Sequence, residues 1–77
     1  MSWWAVTLPT VQATGAGPVT GTQTWFLTSD SPERAAELAL SRSQSPDCVR
    51  HRRGAALVPD RMTCAPLSYG GPRGFRL

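Results

Sequence analysis

Thr24-Trp25-Phe26-Leu27-Thr28-Ser29-Asp30-Ser31-Pro32-Glu33-Arg34-Ala35-Ala36-Glu37-Leu38-Ala39-Leu40 reads as a strand, a capped turn and a helix. Thr, Trp, Phe, Leu and Thr in succession suit a pleated surface. Ser31 can accept a hydrogen bond from a first-turn N–H, and Pro32 has no N–H to leave unpaired. Asp30 and Glu33 place negative charge where the helix dipole is positive. With Asp30 as the cap instead, Glu33 would stand at the reciprocal capping-box position. Ala35, Leu38 and Ala39 then share one helical face, flanked by Ala36 and Leu40. Ser41, Ser43, Gln44, Ser45 and Pro46 cannot sustain the pattern, so the helix is expected to end among them.

Working outward, Trp3 to Leu8 alternates as a first strand. Trp4, Val6 and Leu8 point one way, and Trp3, Ala5 and Thr7 the other. Pro9 predicts that this strand lies at an edge or stops there, with Val11 to Ala13 resuming it. Residues 14–21 form a turn-rich loop that would join strands one and two as a long-looped antiparallel hairpin. After the helix, Arg50, His51, Arg52 and Arg53 make a basic loop. The apolar runs at residues 55–58 and 62–65, with Pro59-Asp60 between them, predict a second hairpin or one bent strand. The expected fold is α+β: a small antiparallel sheet with one helix on one face, ordered β-β-α-β or β-β-α-β-β. The domain is placed at residues 1–67, with a flexible C-terminal tail at 68–77.

Composition narrows the class of function. A chain of 77 residues is one small domain that buries only about 60% of its unfolded surface. All eight basic side chains are Arg, which points to the coding bias of a high-GC bacterium or its phage. The net charge of +3 and isoelectric point near 9.7 permit binding to nucleic acid or to an acidic protein without requiring it. No apolar run approaches the span of about 20 residues that a membrane helix needs. The N-terminus lacks a basic region followed by a long apolar one, so no signal peptide is read. The expected setting is cytoplasmic, with no membrane partner and with Cys48 and Cys64 as reduced thiols.

The chemistry-bearing residues are few. Cys48-x-x-His51 with Cys64 offers three soft ligands, short of the four that a structural zinc site takes, so no metal or other cofactor is expected. The same Cys and His lack an orienting group and an oxyanion hole, and no phosphate loop, dinucleotide fingerprint or carboxylate pair is present. An enzyme is not expected. What remains is an argument from layers. One short helix covers one sheet face, so in either register large aromatics stand on the other: Trp3 and Phe26, or Trp25 with Leu27. The expected function is a small interaction protein, a modulator of a host protein in the phage case. It would bind a protein partner, or itself as a homo-oligomer, through Trp3, Trp25 and Phe26, with Arg50, His51, Arg52 and Arg53 on the rim. The alternative is a nucleic-acid-binding accessory protein that uses the same arginines and aromatics. A third arrangement closes the open face with the C-terminal segment, using Leu67, Tyr69 and Phe75 as cover.

Overall fold

The computed structural model describes residues 1–67. The expected tail at 68–77, with Tyr69 and Phe75, lies outside the described residues. Two strands of 13 residues each, β1 (Ser2–Thr14) and β2 (Gly17–Ser29), pair antiparallel along their whole length, from Ser2 opposite Ser29 to Thr14 opposite Gly17. Two expectations are corrected here. The joining loop is a two-residue turn, Gly15-Ala16, and β1 runs straight through Pro9. The turn is locked by Thr14, whose hydroxyl donates to the Gly17 carbonyl and accepts from the Ala16 N–H. Gly17 follows at φ 114°, a conformation that side chains disfavour.

Pro9 is tolerated because of what lies across from it. The Leu67 N–H donates to the Trp3 carbonyl at 3.0 Å and the Val58 N–H to the Pro9 carbonyl at 2.9 Å. Odd residues of β1 therefore aim their backbone polar groups away from β2, and even residues aim them toward it. The missing N–H of Pro9 thus faces the far edge, where Val58 is leaving the sheet. That edge is built from β3 (Ala56–Leu57) and β4 (Thr63–Pro66), both antiparallel to β1, with a 3-10 turn at Pro59–Arg61 between them. The two apolar runs are one interrupted strand, and β1 is the central strand of the sheet. The odd-numbered insertion also switches parity. Leu57 pairs with Thr10 and Cys64 with Val6, so both turn to the same side of the sheet.

Helix α1 (Pro32–Ser43) starts as its sequence predicts, with Ser31 as the cap: its hydroxyl accepts from the Arg34 N–H at 3.2 Å. It buries Ala35, Ala39 and Ser43, and the small alanines let it sit close to the sheet. Trp4, Trp25, Leu38, Met62 and Cys64 pack around the buried cluster of Val6, Leu27, Ala35 and Ala39. The Trp4 indole N–H is satisfied by the Ser29 carbonyl at 3.1 Å. Where a basic loop was expected, the chain forms a second helix, α2 (Pro46–His51). Ser45 caps it, accepting from the Cys48 N–H at 3.3 Å, so Ser45-Pro46 repeats the Ser31-Pro32 start of α1. It ends where Arg53 and Gly54 take positive φ and the Gly54 N–H returns to the Val49 carbonyl at 3.0 Å. The molecule is a small antiparallel sheet with one main helix and one minor helix on the same side. No described helix is long and apolar enough to cross a membrane.

Candidate interaction surface

The hairpin register assigns every strand residue to a side. Trp4, Val6, Leu8 and Thr10 of β1 and Gln23, Trp25, Leu27 and Ser29 of β2 lie under the helices. Val6 and Leu8 have no exposed surface at all. Trp3, Ala5, Thr7, Pro9 and Val11 face the other way, beside Thr20, Thr22, Thr24, Phe26 and Thr28 of β2. Thr63 and Ala65 of β4 and Ala56 of β3 complete that second face. No described helix covers it, and none of these residues is charged. Phe26 is 44% exposed, Trp3 is half-buried, and Thr7 and Thr24 share a hydroxyl hydrogen bond of 2.9 Å across the strands.

The structure separates Trp3 and Phe26 from the basic groups they were expected to stand with. Trp3 and Phe26 are on the open face; Trp25 is on the covered one, packed against the core. The basic cluster also stands on the covered side, on α2 and the turn after it. Arg52, expected on a binding rim, is spent inside the fold. Its guanidinium donates to the Ser43 carbonyl at 2.7 Å, the Ala55 carbonyl at 3.0 Å and the Gln23 side-chain oxygen at 3.2 Å. The Gln23 amide in turn donates to the Cys48 carbonyl at 3.1 Å. This chain of bonds fastens α2 and the end of α1 to the middle of β2, and it leaves Gln23 satisfied though buried. Arg50 pairs with Asp47 one turn earlier on α2. Arg53 and His51 are exposed, and the Arg53 carbonyl accepts from the Gln12 side chain at 3.1 Å.

A shallow cleft of about 380 Å³ lies between Trp25 on β2 and Asp47, Cys48 and His51 on α2. Hydrogen bonding to Ser45, then to Trp25, holds the Cys48 thiol below its ordinary range, and the charge of Arg52 adds to this. Cys64, on the covered side of β4, is pushed the other way by burial and by Glu33. Both cysteines are free thiols. Among the described residues no group of three or more metal-ligating side chains comes together. The sequence signal for the cleft was the Cys48-x-x-His51 spacing, which puts both on one face of a helix once α2 is recognised.

Fold and surface together define a two-layer α+β domain with one sheet face that no described element covers. No protein-family model, no curated protein and no solved structure matches the chain.

Proposed function

We propose that this chain is a small non-enzymatic interaction protein that binds a protein partner through the open face of its sheet. The observation that carries this reading is the composition of that face. On a molecule with a net charge of +3, an entire sheet face presents Trp3, Phe26, Ala5, Val11 and a field of threonines without one charged side chain. A solvated antiparallel face is ordinarily polar, and here threonine alone supplies that polarity. An uncharged face with two large aromatics instead resembles the core of a protein interface, where aromatics are enriched and charges depleted. Trp3 and Phe26 serve as the anchors. Arg50 and Arg53 lie across the sheet from them, so affinity through this face should depend little on salt.

The test is capture by the immobilised chain from a high-GC actinobacterial lysate, with and without nuclease. A stoichiometric protein that survives nuclease, and is lost with Trp3→Ala and with Phe26→Ala, is the expected result. Each substitution should weaken binding by about 2 kcal/mol or more. Capture only of nuclease-sensitive material, abolished by salt and by Arg50→Ala with Arg53→Ala, would replace this reading with nucleic-acid binding.

A further inference from the structure

The two edges of the sheet are built differently. The β3/β4 edge is two residues, a 3-10 turn and four residues, and it includes Pro59, Asp60, Arg61 and Pro66. Short segments, prolines, charges and a break are the devices by which proteins keep a sheet edge from pairing with another chain. The β2 edge has almost none of them. It is 13 residues long without interruption, in a molecule whose longest dimension is 43 Å. It carries no charge, and its one proline, Pro18, stands beside the hairpin turn.

The direction of its backbone groups follows from the register. Even residues of β1 bond to β2, and each pairs with an odd residue of β2, Leu8 with Gln23 and Val6 with Trp25. The even residues Thr20, Thr22, Thr24 and Thr28 therefore turn their N–H and C=O groups outward. No described strand pairs with that side.

We propose that this edge pairs with the same strand of a second copy, antiparallel about a two-fold axis, making one continuous sheet across two molecules. Three features select a second copy over a foreign peptide. Threonine recurs at alternate outward positions, so antiparallel self-pairing sets threonine against threonine; the Thr7–Thr24 bond shows this cross-strand contact already formed inside the molecule. Two molecules of the same net positive charge can approach along β2 without setting like charges opposite each other. Among the described strands each chain offers one such edge, so a two-fold pair closes and does not propagate, because the guarded β3/β4 edges remain outside. The pairing is distinct from partner binding by the open face, and it leaves that face exposed on both copies.

Sedimentation velocity on the full chain, from dilute to near-millimolar, tests it. The expected result is a reversible dimer of twice 8.3 kDa, centred on Thr22, with amide exchange at Thr20, Thr22 and Thr24 slowed roughly tenfold or more at high concentration. Thr22→Pro removes an outward N–H and no bond of the β1–β2 ladder, so it should give a folded monomer. Thr22→Lys places a charge on each copy at the junction and should also give a monomer; it decides the matter if the proline variant does not fold. Trp3→Ala, on the open face, should leave the dimer intact while abolishing partner capture. A wild-type chain that is monomeric throughout would overturn the proposal. So would a dimer that survives both Thr22 substitutions, or one lost with Trp3→Ala and kept with Thr22→Lys; that last outcome would place self-association on the open face.

Discussion

The two faces of the β1–β2 hairpin are made from alternate residues of the same strands, yet they are organised by different rules. The covered face combines fully buried Val6 and Leu8 with two polar side chains tied into the fold: Gln23 bonds to α2, and Ser29 bonds to the Ser31 backbone. Among the described residues no buried polar side-chain atom is left without a hydrogen bond. The open face has two large aromatics and a run of threonines, with charge kept off it altogether. Threonine suits both the pleat and water, so such a face stays extended without being committed to a core. The contrast shows that polarity and charge are used separately here: hydrogen-bonding side chains occur on both faces, while every described charge is placed elsewhere.

The sharpest way to break this comparison is through stability. Leu8→Ala on the covered face should cost about 3 kcal/mol in urea unfolding. Phe26→Thr on the open face should cost less than about 1 kcal/mol, since the replacement is at home on an exposed strand. Equal costs would mean that the open face is already packed against something in the isolated chain.

A smaller effect separates the arginines. Arg52→Met leaves the Ser43 and Ala55 carbonyls and the Gln23 oxygen short of a donor on the covered side. It should lower stability by about 2 kcal/mol. Arg53→Ala removes only an exposed side chain and should stay within about 0.5 kcal/mol. A thermal melt of the two variants side by side reads the difference; if they melt together, the clamp contributes nothing.

The smallest effect is one of reactivity and sharpens the comparison within the covered side. Thiolate is the species that reacts with iodoacetamide. The Cys48 thiol is held low and the Cys64 thiol pushed up, so Cys48 carries more thiolate at any given pH. Peptide mapping after brief alkylation at neutral pH should find Cys48 modified first. As pH rises from acid, its labelling should begin below the pH at which Cys64 starts to react. Coincident pH midpoints would contradict the assigned environments.

How far these features could be read in advance depended on distance along the chain. The cap at Ser31 and Pro32 and the alternation of Trp4, Val6 and Leu8 are local signals, and both appear in the structure as read. The helix that begins at Pro46 was equally local, but Pro46 also serves to end α1, and its second meaning was hidden behind the first. The tolerance of Pro9 within a central strand is not a local signal, because it depends on Val58, which is remote in sequence. The choice between the two registers of the open face hung on the hairpin loop: taking residues 14–21 as loop leaves parity open, whereas the Gly15-Ala16 turn sets Trp3 and Phe26 on one side. The inward role of Arg52 needed a partner 29 positions away, Gln23. A run of basic residues carries no mark that distinguishes a clamp from a rim.

The central position of β1 has a consequence for how the chain is made. Its first neighbour, β2, follows directly across a two-residue turn, so the hairpin can close soon after residue 29 leaves the ribosome. Its second neighbour arrives only with residues 56–66. During that interval the middle strand is bordered on one flank alone, and its outward amides must wait while both helices are synthesised. A ribosome halted before β3 would therefore hold a nascent hairpin with two unprotected borders, and the last described strand acts as the step that closes one of them.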